Sequence, residues 1–377
     1  MDEPIVHSIE EHPIGTPFMT VRSLLCLGLS LALTVSLTTT VRAESVLVRD
    51  VASLKLAVSK LKAGTVLKIA PGEYSGGQLV KGVANLTVEA ADPEKPPHFK
   101  GGSNAWHFSR CSGLKLSRLR ISGQTHNGLN LDDGGIADQP MKGVTLQHLE
   151  ISDIGPRGNF DGIKCSGLED VKIENCSVDG WGGEAIDLVG CHRVIVSNCK
   201  FKGKSSYSQS SGVQCKGGSE KVTIENCEFV NAGQRPINAG GSTGNAYFRP
   251  AGAKYEARRI VIRKNVISGS FCACAFAGVD DAEFTGNTIL FPQKWVFRIL
   301  QENTSDGFTP CGNVLIQENK IVFRRSEVGV EINIGGNTAP KTFRFVKNHW
   351  FAEDRPDRSK PNLPSRETDG TYGTDPR

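Results

Sequence analysis

Aromatic residues are scarce in this sequence, at 7% of 377 residues. An excess of one charge is also missing, because 44 Lys and Arg against 40 Asp and Glu leave a formal net charge of +4. So small and scattered an excess argues against an obligate nucleic-acid binder. Glycine is abundant instead, with 42 residues, and 38% of the chain is hydrophobic. This composition is typical of a soluble protein rich in strands and turns, and it excludes disordered, collagen-like and multi-span membrane chains.

The N-terminal 43 residues contain the one prominent apolar stretch, Ser23 to Leu37, preceded by Arg22 and followed by small residues up to Ala43. This order is typical of a secretory signal peptide, so we expect residues 1–43 to be an extension plus a signal and the mature chain to be secreted or periplasmic. A membrane anchor is the alternative, but the stretch is shorter than the ~20 residues of a spanning helix. We therefore expect no stable membrane insertion after cleavage. Met19 is an alternative initiator methionine, because it directly precedes the signal-like segment.

A short phrase, apolar-x-apolar-x-x-(Leu/Cys/Asn)-x-apolar, recurs every 22 to 38 residues along the chain. Its copies are 114–121, 144–151, 171–178, 194–201, 222–229, 260–267, 282–289, 314–321 and 343–350. A period of this length indicates a solenoid whose units cannot bury a core alone. Apolar alternation within each copy predicts a strand, and Gly, Asn and Asp turns leave room for two or three strands per repeat.

The sixth position of the phrase predicts an internal ladder, because residues one coil apart in a parallel stack lie ~4.8 Å from each other. It reads Leu119, Leu149, Cys176, Cys199, Cys227, Asn265, Asn287, Asn319 and Asn348. We expect the asparagines to hydrogen-bond along the stack and the cysteines to be buried fillers. Ten cysteines in an exported chain also permit disulfides, although stacked strands seldom provide the required geometry. That alternative stays open.

The repeat resembles the right-handed parallel β-helix of the pectate-lyase-like superfamily. The resemblance implies an all-β solenoid of about ten coils over residues 44–350, an N-terminal capping helix and an extended tail at 351–377. A helix over Asp50 to Gly64, with Leu54, Val58 and Leu61 on one face, agrees with it. The tail either lies on the coils or hangs free. We expect a monomer.

A second strand in each coil places one polar residue between apolar neighbours, so alternation turns these polar residues to one face. They are Asn130, Lys164, Asp187, Gln214 and Asn238. A stacked polar stripe of this kind suits the floor of a groove for an extended polymer. The alternative is an ordinary solvated sheet face, with Lys164 and Asp187 as a surface ion pair of little consequence.

The turns before these strands contain Asp161, Glu184 and Arg235. Paired carboxylates can divide acid and base roles when their pKa values differ. A lysine or arginine beside a charge-neutralising partner can instead abstract the C5 proton of a uronate. The alternative is that both acids cap turns.

Two family resemblances bear on these residues. Asn159-Phe-Asp161-Gly162, Gly182-Gly-Glu184 and Ser211-Gly-Val are similar to the order of the polygalacturonase motifs, but Glu184 and Gly183 stand where that family has two Asp, and its His is absent. Gln214-Cys-Lys216 followed by Arg235 is similar to the chondroitinase B and alginate lyase group. There the Arg would lie nearer Asn238, and the Glu-rich calcium cluster is missing.

The longest interval between phrases forms a loop with Tyr247, Arg249 and Tyr255, which we expect to contact sugar, the rings by stacking and Arg249 at a carboxylate or sulfate. The alternative is a loop packed on its own coil. A second insertion spans 301–311.

We therefore predict an exported protein whose partner is an acidic polysaccharide, with β-elimination favoured over hydrolysis. Lys164 or Lys216 would be the base and Arg235 the group that neutralises the substrate carboxylate. Asp161, Glu184 and Asp187 would be acidic partners or ligands of a cation, with Ca²⁺ as the candidate. Glycoside hydrolysis, C5-epimerisation and a non-catalytic carbohydrate-binding or surface role are the alternatives.

Overall fold

The computed structural model describes residues 44–377. The predicted extension and signal peptide lie outside the described residues. Within 44–377, no helix is long and apolar enough to cross a membrane.

The described chain consists almost entirely of short strands. In chain order these are β1 (Ser45–Val48), then α1 (Val51–Ser59), β2 (Val66–Ile69), β3 (Glu73–Ser75), β4 (Gln78–Lys81), β5 (Thr87–Ala90), β6 (His98–Lys100), β7 (Trp106–Ser109), β8 (Lys115–Ser117), β9 (Arg120–Ser122), β10 (Leu129–Asp132), β11 (Met141–Gln147), β12 (Glu150–Ile154), β13 (Ile163–Ser166), β14 (Leu168–Glu174), β15 (Ser177–Trp181), β16 (Glu184–Val189) and β17 (His192–Ser197). They continue with β18 (Lys200–Lys202), β19 (Ser211–Lys216), β20 (Ser219–Glu225), β21 (Glu228–Val230), β22 (Arg235–Gly240), β23 (Ala257–Arg263), β24 (Val266–Ser268), β25 (Cys274–Ala277), β26 (Val279–Thr285), β27 (Thr288–Leu290), β28 (Phe297–Leu300), β29 (Gly312–Gln317), β30 (Lys320–Phe323), β31 (Ile332–Ile334), β32 (Arg344–Val346), β33 (His349–Ala352) and β34 (Thr371–Tyr372). Three 3₁₀ turns lie at Asn245–Tyr247, Pro340–Thr342 and Pro356–Arg358.

The strands form three long parallel sheets, and each full coil adds one strand to each sheet. Sheet A has the order β1-β2-β5-β8-β11-β14-β17-β20-β23-β26-β29-β32. Sheet B has the order β3-β6-β9-β12-β15-β18-β21-β24-β27-β30-β33-β34. Sheet C has ten strands in the order β4-β7-β10-β13-β16-β19-β22-β25-β28-β31. The predicted all-β parallel helix of about ten coils is confirmed.

A sharp turn between sheets A and B sits at the fifth position of the repeated phrase. Most of the residues there adopt the left-handed conformation, with φ between 52° and 55° at Arg118, His148, Asn175, Asn198, Asn226, Lys264, Glu318 and Lys347. Asn tolerates this conformation better than most residues, which explains its frequency there. The turn directs the sixth residue into the core.

The predicted ladder at the sixth position is present. Asn265 Nδ2 donates to Oδ1 of Asn287 at 2.9 Å, Asn287 to Asn319 at 3.2 Å and Asn319 to Asn348 at 2.8 Å. Each of these amides also donates to a backbone carbonyl, so the buried polar groups are paired. All ten cysteines in residues 44–377 are buried free thiols.

Both ends of the stack are covered. Asp50 caps α1 through a reciprocal pair of hydrogen bonds with Ser53, and Leu54 packs into the core, although the helix ends at Ser59, earlier than the sequence predicted. The C-terminal tail lies on the last coil, where β34 pairs with β33. Glu367 from this tail accepts a 2.8 Å hydrogen bond from Asn348 and therefore ends the asparagine ladder.

Candidate functional site

The predicted polar stripe is a continuous row across sheet C. Lys164 pairs in register with Asn130 and Asp187, and Gln214 with Asp187 and Asn238. Adjacent members are therefore separated by one strand spacing, ~4.8 Å. The middle of the row is buried, since Asp187, Gln214 and Asn238 have almost no exposed surface. The stripe is thus a buried polar layer rather than the open floor that alternation alone suggests.

Two lysines cover the buried Asp187. Lys164 donates a hydrogen bond to Oδ2 of Asp187, and its Nζ lies 3.3 Å from Oδ2 of Asp161. Lys216 Nζ lies 3.5 Å from the same Asp187 oxygen. The lysine side chains remain 20% and 16% exposed, so their ammonium groups separate the carboxylates from solvent. Two cations on one face of sheet C can bind a negatively charged ligand.

Glu184 completes a cluster of three buried carboxylates. Ligand oxygens of Asp161, Glu184 and Asp187 all lie within 4.8 Å of one another. The backbone N–H of Glu184 donates to Oδ1 of Asp161 at 2.9 Å, and this hydrogen bond links two neighbouring coils. A Cβ at Gly183 would lie 2.6 Å from that same oxygen, so a second acid there would require the Asp161 side chain to move. We call Asp161, Lys164, Glu184, Asp187 and Lys216 the acid–lysine cluster.

Burial and mutual repulsion change the protonation of the cluster. Burial, together with the charges of Asp187 and Asp161, raises the pKa of Glu184 to about 8, so this acid is mostly protonated at pH 7. Burial and the charge of Asp187 also raise the pKa of Asp161 above its usual value. Burial alone would disfavour the Lys164 ammonium, but Asp187 and Asp161 raise its pKa above the usual range. Lys164 is consequently held as a cation.

Other predicted site residues lie outside the cluster. Arg235 is in register with Ser211, and Ser211 is in register with Glu184, so Arg235 begins a strand that lies two strand spacings from Glu184. Its Nη1 lies 3.7 Å from Oε1 of Glu302. Asn130 donates to Asp132 at 3.0 Å in a separate network with His107.

The long loop after β22 folds back onto the coils. Arg249 Nε lies 2.8 Å from the buried Asp133, so this predicted sugar contact is engaged in an internal ion pair. Tyr255 is buried against Arg258. Tyr247 is 67% exposed and remains available to a ligand.

A basic aromatic surface further along sheet C was not predicted. Trp295 lies two residues before β28, which is two strands on from the β22 strand of Arg235, and its ring lies 4.4 Å from Lys294 Nζ and 4.7 Å from the guanidinium of Arg298. Burial and the charge of Arg235 lower the pKa of Arg298. We call Arg235, Lys294, Trp295 and Arg298 the basic patch. Trp295 lies outside the strand, and no repeated pattern in the sequence marks it.

Residues 98–289, just over half of the chain, match the family model described as the right handed beta helix region. The chain belongs to this family. The predicted resemblance to the right-handed, pectate-lyase-like β-helix is thereby confirmed. No curated protein matches the chain in sequence.

Solved structures with the same fold include enzymes and an adhesin. The alginate lyase from Paenibacillus sp. is 18% identical, with a TM-score of 0.53 over 78% of this chain and 99% of that one. The A-module of mannuronan C-5 epimerase AlgE6 from Azotobacter vinelandii is 12% identical, with a TM-score of 0.56 over 87% and 94%. The surface protein and adhesin PfbA of Streptococcus pneumoniae is 14% identical, with a TM-score of 0.53 over 85% and 84%. At these identities the similarity shows a shared fold.

The carboxylates of this right-handed β-helix do not fit the predicted Ca²⁺. Three acids provide the oxygen ligands that Ca²⁺ prefers. The ammonium of Lys164, however, already lies against two of them. Lys216 also lies 3.5 Å from Asp187. We therefore assign no step to calcium. The cluster can instead hold the Lys164 and Lys216 side chains at fixed positions and exchange protons among neighbouring groups.

Proposed function

We propose that this protein is a polysaccharide lyase that binds an acidic, uronate-containing polymer along sheet C and cleaves it by β-elimination at the acid–lysine cluster. The observation that supports this most is the pair of partly exposed lysines, Lys164 and Lys216, held on the buried Asp187. β-Elimination requires a cation to stabilise the uronate carboxylate as C5 loses its proton, and a base to remove that proton. Two adjacent amines with different partners provide both.

The contacts of the two lysines favour different roles. Lys164 contacts two carboxylates and is held as an ammonium, which suits the group that binds the substrate carboxylate. Lys216 contacts one carboxylate, at 3.5 Å, and the amide oxygen of Gln214, at 3.4 Å. In its neutral form the Lys216 amine is the proposed base.

The reaction balances with these groups alone. The neutral Lys216 amine takes the C5 proton, and the electron pair left on C5 forms the C4–C5 double bond as the C4–O bond breaks. Lys216, now an ammonium, returns its proton to the leaving oxygen. The products are an unsaturated uronate at one new end and a new reducing end at the other.

The basic patch provides the second support for an acidic polymer. Arg235 and Arg298 can bind carboxylates, and Trp295 can stack on a sugar ring. The patch begins two strand spacings, ~9.6 Å, from Glu184, so its first residue, Arg235, lies about two sugar units along the same chain. In this proposal Arg235 binds a neighbouring uronate, in place of the reacting one that the sequence suggested.

The deciding experiment incubates the protein with alginate, polygalacturonate and a glycosaminoglycan panel and measures unsaturated-uronate absorbance and new reducing ends together. A lyase raises both signals. Reducing ends without absorbance would instead establish a glycoside hydrolase. That second candidate is favoured by one observation, the pKa of about 8 at Glu184 beside two other acids, but all three carboxylates are buried beneath the lysines.

Two further alternatives have their own signals. A C5-epimerase would exchange the C5 proton with deuterium in D₂O without shortening the polymer, which NMR detects. A non-catalytic binding protein would give no product and no exchange while retaining affinity. Export of the chain stays a prediction, and N-terminal sequencing of protein recovered outside the cytoplasm would test it.

A further inference from the structure

A cleft of about 640 Å³ lies on the turns that join sheet B to sheet C across four successive coils. It lies outside both the acid–lysine cluster and the basic patch. Its lining includes Lys204, Tyr207, Gln209, Ser270, Phe271 and Gln293, which come from the segments before β19, β25 and β28. This volume is within the range of small-molecule binding sites.

Two buried polar groups on the cleft lining have no partner. Gln209 and Ser270 are more than nine-tenths buried, and neither Nε2 of Gln209 nor Oγ of Ser270 makes a hydrogen bond within residues 44–377. A buried polar group without a partner is costly, so such groups in a cleft point to a ligand that supplies the missing hydrogen bonds.

The walls of the cleft suit a sugar ring. Phe271 is 45% exposed, which is unusual in a chain with so few aromatic side chains. An exposed ring at the rim of a polar cleft can stack on the apolar face of a pyranose. Lys204 and Tyr207 on the lining donate hydrogen bonds to Asp153 at 2.6 Å and 2.8 Å, so these two side chains are held in place before a ligand arrives.

The cleft presents little net charge, so we expect its ligand to differ from the anionic polymer proposed for the lysines on sheet C. Lys204 is the one ionised side chain on the lining, and it is already paired with Asp153. The remaining polar side chains are amides and hydroxyls, including Gln209, Ser270 and Gln293. These groups hydrogen-bond to hydroxyls without favouring an anion.

We propose that this cleft is a second carbohydrate-binding site that takes a neutral hexopyranose unit. The sugar stacks on Phe271, and rotation of the Gln209 and Ser270 side chains, which line the cleft, brings their unpartnered groups to its hydroxyls. This proposal does not depend on β-elimination, because it concerns binding at a separate place.

Saturation-transfer NMR and calorimetry with D-glucose, D-galactose and D-mannose test the proposal directly, with D-glucuronate and D-galacturonate as charged comparisons. We expect at least one neutral hexose to bind with an affinity on the order of millimolar, as is typical of so small a ligand. Binding of none of the three, or tighter binding of the uronates, would overturn the proposal. A failed cleavage assay would leave this result unaffected, since the probes are not substrates.

Two variants locate the binding. Phe271→Ala should weaken the hexose roughly tenfold through lost stacking, whereas Val266→Ala, a control with 43% exposure on sheet B, should not. Ser270→Ala removes a hydroxyl that has no partner, so it should leave folding intact and weaken binding about 3- to 10-fold. Unchanged affinity in both Phe271→Ala and Ser270→Ala would place the sugar elsewhere and refute the assignment.

Discussion

The Nζ of Lys216 lies 3.5 Å from Oδ2 of Asp187, a carboxylate with no exposed surface. Lys164 reaches the same oxygen from the neighbouring coil, so one buried acid positions two amines. The stacking of β13, β16 and β19 sets this arrangement, because their registers bring Lys164, Asp187 and Gln214 into one row.

Lys216→Met should lower kcat on the cleaved polymer by about 10²- to 10⁴-fold, the usual contribution of a proton-transfer group. Asp187 keeps Lys164 as a partner, so the fold should survive, as circular dichroism and thermal unfolding would show. Lys81→Met, which removes an exposed lysine from β4 on the same sheet, is the control. Full activity of Lys216→Met would exclude this lysine as the base.

Lys164→Met should lower the free energy of unfolding by about 3–5 kcal/mol, since it leaves buried carboxylates short of a cation. Urea unfolding measures this change. The double variant Lys164→Met/Asp187→Asn removes the unpaired charge as well and should recover part of the loss. A single variant as stable as the unmodified protein would show that Asp161 and Asp187 need no ammonium group.

Glu184 should make the protein less stable as pH rises. Its folded pKa of about 8 lies above the ordinary 4.5, so the native state binds the extra proton between these values. Stability from this group is fully present below pH 4.5 and is lost as pH rises towards 8, by roughly 1.4 kcal/mol per pH unit. Urea unfolding across this range should show the slope, and Glu184→Gln should remove most of it. If Glu184→Gln showed the same dependence of unfolding free energy on pH as the unmodified protein, the effect would belong to other groups. Glu228→Gln, which changes an exposed acid, is the control and should leave this dependence unchanged.

Glu367→Ala should destabilise the C-terminal end by about 1–3 kcal/mol, because the buried amide of Asn348 loses its acceptor. Hydrogen exchange should show faster opening of β33 and β34. Arg366→Ala changes the exposed neighbour and should have little effect. Unchanged exchange in Glu367→Ala would show that the tail adds nothing to the last coil.

The sequence predicted what depends on local periodicity. Apolar alternation identified the strands, and the sixth position of the phrase identified the ladder from Asn265 to Asn348, because every coil repeats the same turn. Alternation also brought Lys164 next to Asp187. Burial of that row was not predictable in this way, because it depends on which segments lie against the face: the carbonyl of Gly240, at the end of β22, accepts a hydrogen bond from Gln214 at 3.2 Å.

Contacts between distant segments escaped prediction for a similar reason. Arg249 pairs with Asp133, 116 residues earlier, and no pattern in the sequence relates the two. Both lysine candidates were found, but their different roles depend on the number of carboxylates that each contacts. That number is a property of side-chain geometry, which composition and spacing do not specify.

Trp295→Ala should raise KM for the acidic polymer about tenfold and leave kcat unchanged, because the ring binds sugar several units away from the cluster. Steady-state kinetics on long and short oligosaccharides would separate the two effects, since oligomers too short to reach the basic patch should be cleaved equally by both proteins. Tyr247→Ala is the informative comparison, as Tyr247 is the exposed aromatic of the long loop. A rise in KM in Tyr247→Ala alone would move the polymer from the basic patch to that loop, and a fall in kcat in Trp295→Ala would place the ring at the reacting sugar.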